Sequence, residues 1–133
     1  MMNTPSPNLA TVEIKAFVPA QDFERSMAFY QALGFTRASV FEDIAYFHCG
    51  DSSFLLQDFF VPEFAQNLQM HLLVENVEDW HTRAKEVAER FNVKIGEPAD
   101  RPWAMRDFTL FDPSGVLWRI GQNIPRADHP PGA

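Results

Sequence analysis

Two segments of the chain show the spacing of apolar residues that is typical of an amphipathic helix. The first segment follows Asp22, a plausible N-cap, and stops at Gly34, a residue type common just beyond a helix end. Its apolar stripe consists of Phe23, Met27, Tyr30 and Leu33. The second segment begins at Asn76 or Glu78, and acidic residues in its first turn suit the helix dipole. Its apolar stripe consists of Trp80, Ala84, Val87 and Phe91.

The two predicted helices belong to an internal repeat. Residues 16–35 align without gaps with residues 72–91, at an offset of 56, and each copy has a strand, an acidic helix start, an amphipathic helix and a closing Phe. Shorter extended segments follow each helix, at about 35–42, 44–49 and 53–59 in the first copy and about 93–97, 105–111 and 116–122 in the second. The predicted order of elements is therefore βαβββ, twice.

The repeat predicts an α+β fold in which the two modules depend on each other. A module of roughly 55 residues buries too little surface to be stable alone. We therefore expect both modules to build one curved mixed sheet, with helices on its outer face and a concave cup inside, within one chain or by exchange between two. We predict a single domain over 11–123, with modules at about 11–60 and 68–123. The Pro-rich ends, 1–10 and 124–133, are expected to be loosely held.

Composition limits the classes of partner. A net charge of −7 argues against nucleic acid, because phosphate binding needs a basic surface. The opening MMNTPSPNLA is unlike a signal peptide and no apolar run approaches the length of a membrane span, so we expect a cytoplasmic protein with no membrane partner. The lone cysteine, Cys49, is interpreted as a structural thiol. Thirteen Phe and three Trp exceed what a minimal core requires, which favours an aromatic pocket or a subunit interface.

The segment 107–122 reads as two strands around a tight turn. Alternation of side chains leads us to expect one shared face for Phe108, Leu110, Leu117 and Arg119. Trp118 and Ile120 are expected on the other face. An arginine among apolar side chains needs a ligand or a carboxylate partner, and Glu13 and Glu75 are the candidate carboxylates.

These elements resemble the vicinal-oxygen-chelate superfamily, which includes glyoxalase I, extradiol dioxygenases, fosfomycin resistance enzymes and bleomycin resistance proteins. The resemblance rests on SMAFYQALGF (26–35), HLLVENVEDW (71–80) and FTLFDPSGVLWRI (108–120). Within the superfamily, RPWAMRDFTLFDPSG (101–115) is similar to the PWG-x-R-x-F segment of bleomycin resistance proteins. Ala104 and Met105 replace the glycine region of that segment.

In the superfamily members that use a metal, the resemblance implies four inward positions, on the first and last strand of each module. Here these positions are Lys15, Gln57, His71 and Arg119. Lysine and arginine offer a metal no free lone pair at neutral pH, so this set predicts that there is no metal cofactor. A shift of two residues in the first strand would replace Lys15 by Glu13, which has the same parity. The alternative is therefore a divalent metal ion held by Glu13, Gln57 and His71.

Without a metal, the residues and the resemblance predict a site for a small molecule. The candidate lining residues combine apolar walls with a polar base: Lys15, Phe17, Phe47, Leu55, Gln57, Phe59, His71, Leu73, Trp103, Phe108, Leu110 and Arg119. The resemblance implies sequestration of an antibiotic or a metabolite without catalysis, in a crevice between the two subunits of a homodimer. The alternative function is that of a metal-dependent lyase or dioxygenase.

The other histidines are expected outside the site. His48 has the opposite parity from Phe47, and His81 and His129 are expected to face solvent. His71 also has a structural interpretation, because a histidine on an apolar strand is commonly a hydrogen-bonded core residue.

Overall fold

The computed structural model describes residues 6–126. The elements in chain order are β1 Phe17–Pro19, α1 Phe23–Leu33, β2 Thr36–Phe41, β3 Ile44–Cys49, β4 Ser52–Gln57, α2 Pro62–Asn67, β5 Gln69–Leu73, α3 Val77–Phe91, β6 Ala99–Arg101, β7 Met105–Phe111 and β8 Leu117–Asn123. Helix α2, which joins the two modules, has no counterpart in the repeat. None of the helices in this part of the chain is long and apolar enough to cross a membrane.

The strands form two four-stranded mixed sheets with the same internal order. That order is β1-β4-β3-β2 in the first sheet and β5-β8-β7-β6 in the second. In each sheet the first strand pairs in parallel with the last strand of its module, and the other pairs are antiparallel. This order confirms the predicted α+β fold of two βαβββ modules. Within the described residues the two sheets remain separate, so each module presents its own open face where one composite cup was expected.

One strand lies further along the chain than predicted. The segment 93–97 contributes only an isolated bridge, between Ile95 and Leu110. The edge strand of the second sheet is instead β6, Ala99–Arg101. Pro98 separates the two, and proline has no N–H to donate to a ladder, so the regular strand begins after it.

Both predicted helices have the ends that local signals indicate. The Asp22 side chain accepts a hydrogen bond from the Arg25 N–H at 3.1 Å. The Asn76 side chain accepts one from the Asp79 N–H at 3.0 Å, which settles the start of α3 in favour of Asn76. Helix α1 ends at Gly34, whose φ of 124° lies in the region that favours glycine.

A buried cluster joins the two modules. The ring of Tyr30 on α1 lies 4.8 Å from that of Phe54 and 5.5 Å from that of Trp118. Trp118 Nε1 donates a hydrogen bond to the Tyr30 hydroxyl at 2.9 Å, and this hydroxyl donates to Asp112 Oδ2 at 2.5 Å. Burial raises the pKa of the Asp112 carboxyl, and burial together with Asp112 raises the pKa of Tyr30. Because Tyr30 belongs to the first module and Asp112 to the second, these bonds hold the modules together.

The faces of the closing hairpin differ from the predicted ones. Phe108 pairs with Ile120 and Leu110 pairs with Trp118, so all four share the side that faces the helices. Phe108 and Leu110 are fully buried there, and the prediction that they line the open side with Arg119 is wrong. The loop between the strands has an odd number of residues, so residues of equal parity share a face across it.

Phe47 is likewise on the helix-facing side of the first sheet, and its predicted place in the site is wrong. Its ring stacks on that of Phe54 with centroids 5.5 Å apart, and both rings are buried. Since neighbours on a strand point to opposite faces, Tyr46 and His48 lie on the open side. His48, which was expected outside the site, is therefore on the face that carries it.

His81 is buried, which corrects the expectation that it faces solvent. It is 5% exposed, its Nε2 lies 3.0 Å from the Gly96 carbonyl oxygen, and its ring packs against Phe108. The buried residues of α3 also include Val77 and Ala88, whereas Trp80, a member of the predicted stripe, is half-buried. His129 lies outside the described residues.

Candidate functional site

Each sheet turns one face to the core and leaves the other open, and the two open faces carry the candidate site. The first open face consists of Phe17, Tyr46, His48, Ser53, Leu55 and Gln57. The second open face includes His71, Leu73, Arg101, Met105, Asp107, Thr109 and Arg119. The predicted polar quartet is therefore divided, with Lys15 and Gln57 at the first sheet and His71 and Arg119 at the second.

Arg119 occupies the middle of the second open face. On β8 it pairs with His71 of β5 on one side and with Thr109 of β7 on the other. Its Nη1 lies 3.9 Å from Asp107 Oδ1, so Asp107, and not Glu75, is its carboxylate partner. The Arg119 side chain is 37% exposed and makes no hydrogen bond within residues 6–126. Arg119 is thus held in place loosely and open to a ligand.

Asp107 is shared by two arginines, a feature that the sequence did not reveal. Arg101 Nε donates a hydrogen bond of 2.8 Å to the same Oδ1 that Arg119 approaches. Gly121 makes room for this arrangement, because a Cβ there would lie 2.8 Å from Met105 Sδ and 3.1 Å from Asp107 Cβ. The side chains of Met105 and Asp107 therefore lie close to the β8 backbone at Gly121.

His71 is exposed and contacts a sulfur atom, which argues against its interpretation as a buried core histidine. Its Nε2 lies 3.3 Å from Met105 Sδ, a weak acceptor. A cavity of about 270 Å³ lies beside it, and Ser53 of β4 lines that cavity together with His71 and Leu73 of β5. This cavity therefore brings residues of both open faces together within one chain.

Glu13 and Lys15, between which alternation could not choose, both lie against the first open face. Lys15 Nζ is 2.5 Å from Glu13 Oε1 and 5.2 Å from the centroid of the Tyr46 ring. Glu13 also accepts hydrogen bonds from the hydroxyls of Tyr46 and Ser53. These contacts, with Lys15 as the largest cause, lower the pKa of the Glu13 carboxyl. Glu13 is therefore engaged at the first sheet and is not the partner of Arg119.

A second cavity, of about 240 Å³, lies at one end of the first open face. It is lined by Phe17, Pro19, Gln57, Phe59, Phe64 and Leu68. The structure thus brings together three of the predicted lining residues, Phe17, Gln57 and Phe59. Phe64 and Leu68 are additional, and helix α2 positions them. This helix has six residues, too few for its apolar spacing to predict it.

Trp103 stands apart from both cavities. It lies in the turn between β6 and β7 with 62% of its surface exposed. The next residue, Ala104, has a φ of 63°, in the left-handed region that favours glycine. The similar PWG segment has its glycine at this position, and the backbone of Ala104 takes a conformation that glycine adopts without strain.

The residues proposed for a metal site do not suit a divalent cation in this arrangement. Among residues 6–126, no group of three His, Cys, Asp or Glu side chains is placed to hold a metal ion. The carboxylate of Glu13 is neutralised by Lys15, and the strand next to His71 carries the guanidinium of Arg119. Divalent metals take lone pairs from imidazole or carboxylate, and fixed cations beside them oppose binding.

The same fold occurs in solved structures of other proteins. The chain is similar to the bleomycin resistance determinant encoded on the transposon Tn5, with a TM-score of 0.72 and 23% identity over 85% of this chain and 98% of that one. A bleomycin-binding protein complexed with bleomycin has the same TM-score and identity over 85% and 99% of the two chains. TnmS3, an antibiotic binding protein from Streptomyces sp. CB03234, has a TM-score of 0.69 and 23% identity over 89% and 99%. Identities this low show the fold alone.

The sequence itself also carries a family signature. A comparison with curated proteins finds no match. The family model of the Glyoxalase/Bleomycin resistance protein/Dioxygenase superfamily, in contrast, matches residues 11–120, which span both modules and most of the chain. The chain therefore belongs to the glyoxalase/bleomycin resistance protein/dioxygenase superfamily.

Proposed function

We propose that this protein binds a small organic molecule, an antibiotic or a metabolite, on its open sheet faces, without a metal ion and without transforming the molecule. The observation that carries the proposal is the position of Arg119. It stands in the middle of the second open face, where the metal-using members of the superfamily place a metal ligand. A guanidinium donates hydrogen bonds and remains charged, so it suits recognition of a ligand and opposes a metal.

The exposed aromatic side chains of the first sheet support the same function. Phe17, Phe59 and Phe64 keep 57%, 46% and 63% of their surfaces exposed around one cavity. Apolar surface concentrated in a concavity is typical of a binding site rather than of an ordinary protein surface. The bleomycin-binding protein and TnmS3, which share the fold, are binding proteins for antibiotics.

We further propose that the protein is a homodimer in which the open faces of two chains enclose the ligand. Leu73 is 53% exposed on the second open face, and Val12 and Ile14 beside the first are 97% and 95% exposed. Burying such side chains against a second chain gains about 25 cal/mol for each Å² of apolar surface. Light scattering after size exclusion should give twice the mass of the chain, and a monomer at every concentration would contradict the dimer. A cytoplasmic location is proposed from the sequence alone.

A thermal-shift screen tests the binding function. We expect at least one compound in a library of antibiotics and aromatic metabolites to raise the melting temperature in a saturable way, by an amount equivalent to about 2.7 kcal/mol at a hundredfold excess over Kd. The Arg119→Ala variant should lose this shift. Arg90→Ala, the same change on helix α3, should keep it, since the Arg90 guanidinium lies over the Phe91 ring on the helix side. A library without any stabilising compound would count against the proposal. Shifts that survive Arg119→Ala would place the binding site away from the second open face.

Metal analysis tests the alternative function. Protein purified without chelators should contain no stoichiometric metal, and Ni²⁺, Zn²⁺, Mn²⁺ or Fe²⁺ should leave the melting temperature unchanged. A stoichiometric metal that is lost in the His71→Ala variant would favour the enzyme and overturn the metal-free proposal.

A further inference from the structure

The second open face carries more positive than negative charge, although the whole chain is acidic. Its carboxylate is Asp107, and no other acidic side chain of residues 6–126 lies on this face of β5, β6, β7 or β8, since Asp100 of β6 is on the opposite face. Two guanidinium groups, of Arg101 and Arg119, share Asp107 Oδ1. One positive charge is therefore left over here, in a chain whose net charge is −7. An excess of this kind in an acidic protein points to a ligand and not to general solubility.

The excess positive charge belongs to Arg119, because Arg101 makes the closer contact with the Asp107 carboxylate. Arg101 Nε is 2.8 Å from the carboxylate oxygen, a hydrogen-bond distance, whereas Arg119 Nη1 is 3.9 Å away. The guanidinium of Arg119 has five N–H donors, and none is used within the part of the chain that is described. It thus presents a planar fork of donors at the centre of a face that is partly withdrawn from water.

We infer that the ligand carries an oxyanion, a carboxylate or a phosphate, which Arg119 binds through two N–H groups. This inference rests on the proposed function and narrows its class of ligand. A guanidinium fork matches two oxygens of such a group, and the charge-assisted pair is about twice as strong as a neutral hydrogen bond. The His71 ring lies next to Arg119 across the strands, and within residues 6–126 its hydrogen-bonding partner is the Met105 thioether. A thioether is a weak acceptor, so a ring N–H of His71 can be given to the same anion.

The apolar part of the ligand lies beside this anion site. Leu73, on the same face of β5 as His71, is 53% exposed and lines the cavity of about 270 Å³. Lys15 does not compete for the anion, because Glu13 already neutralises it at the first sheet. The ligand class is therefore an organic anion with an apolar body, and Arg119 is its charge-selecting residue.

A titration with matched probes tests the inference. The probes share a naphthalene body and differ in the attached group: 2-naphthoate, 2-naphthyl phosphate, the neutral 2-naphthamide and the cationic 2-naphthylmethylammonium. Binding to the full chain is followed by amide chemical shifts in nuclear magnetic resonance spectra. At least one anion should bind about tenfold more tightly than the amide, with lower affinity at higher salt. The tighter of the two anions identifies the oxyanion as carboxylate or phosphate.

Three variants connect that preference to Arg119. Arg119→Gln should weaken the preferred anion about tenfold and leave the amide unchanged. Arg119→Lys, which keeps the charge and loses the fork, should give an intermediate loss. Arg90→Gln is the control on the helix side and should change neither. Native-like amide spectra of each variant show that it is folded.

The outcomes separate this inference from the proposed function. Equal affinity for amide and anion, tighter binding of the ammonium probe, no saturable response to either anion, or an anion affinity unchanged in Arg119→Gln would each overturn the anion inference. The binding function itself is overturned only if the library screen also finds no stabilising compound. A neutral or cationic compound that stabilises the protein would leave the function standing without the anion site.

Discussion

The two open faces are built on the same strand order, yet they satisfy their charged groups differently. On the first face, Glu13 and Lys15 form an ion pair, and the hydroxyls of Tyr46 and Ser53 donate hydrogen bonds to the Glu13 carboxylate. On the second face, the Asp107 carboxylate lies near two arginines, and the guanidinium of Arg119 makes no hydrogen bond in the described chain. The repeat thus gives both faces the same strand order, while the side chains that point away from the core differ between them.

This difference gives the faces different capacities. The first has a neutral charge pair and an aromatic cavity of about 240 Å³, so it suits a flat apolar group. The second has an unsatisfied guanidinium and an exposed histidine, so it suits an oxyanion. Variants that act on both faces, on one face or on matched turns can therefore test how far the two modules are equivalent.

The largest effect is expected from Asp112→Ala, which disturbs both faces at once. The carboxylate accepts hydrogen bonds from the Tyr30 hydroxyl and from the N–H groups of Ser114 and Val116. Its removal leaves three buried donors without an acceptor, and we expect the free energy of unfolding to fall by about 3 kcal/mol. Urea denaturation measures this loss. Asp58→Ala, at an exposed carboxylate, is the control and should change stability by less than about 0.5 kcal/mol.

A loss below about 1 kcal/mol for Asp112→Ala would mean that the buried bonds do not couple the modules. Binding to both faces should weaken together if the coupling is real, because the Tyr30–Asp112 bond connects the module of the first face to that of the second.

The order and the ends of the secondary-structure elements were predictable because the sequence signals for them are local. Asp22, Asn76 and Gly34 mark helix ends within one turn. Apolar spacing within each segment predicts the buried side on which Met27, Tyr30, Leu33, Ala84, Val87 and Phe91 lie. Sheet faces are less local, since the parity of one strand relative to the next depends on the number of residues in the loop between them. Counting alternation through the closing turn placed Phe108 on the side of Arg119, and pairing places it opposite Ile120.

The candidate site was predictable in its central residue and not in its surroundings. Arg119 was singled out because the family pattern places a metal ligand there. The sharing of Asp107 with Arg101 depends on side chains from β6, β7 and β8 meeting on one face. No spacing in the sequence encodes that meeting. Glu13 and Lys15 have the same parity, so alternation could not tell which of them lies at the site. In the structure both lie at the first open face and form an ion pair with each other.

A smaller effect, confined to the second face, is expected from Gly121→Ala. The added Cβ would lie 2.8 Å from Met105 Sδ and 3.1 Å from Asp107 Cβ, so both side chains must move. We expect a loss of about 1–2 kcal/mol in the free energy of unfolding, typical of overpacking. Binding of anionic probes should weaken as well, because Met105 contacts His71.

The double variant Met105→Ala with Gly121→Ala provides the control, because it removes the atom that the new Cβ meets. Stability measured by urea denaturation should be less affected by Gly121→Ala in this background than in the native one. Purely additive losses would show that the Met105 contact is not the source of the strain.

The smallest effect compares two matched turns. Ala104, between β6 and β7, and Glu42, between β2 and β3, occupy corresponding places in the two modules, with φ of 63° and 55°. Glycine tolerates this conformation, so Ala104→Gly and Glu42→Gly should each raise the free energy of unfolding by about 0.5–1 kcal/mol. Equal gains would show that the repeat stores the same strain in both modules. A loss in Ala104→Gly would contradict this, and would mean that the Ala104 methyl group, next to the exposed Trp103, contributes contacts worth more than the strain.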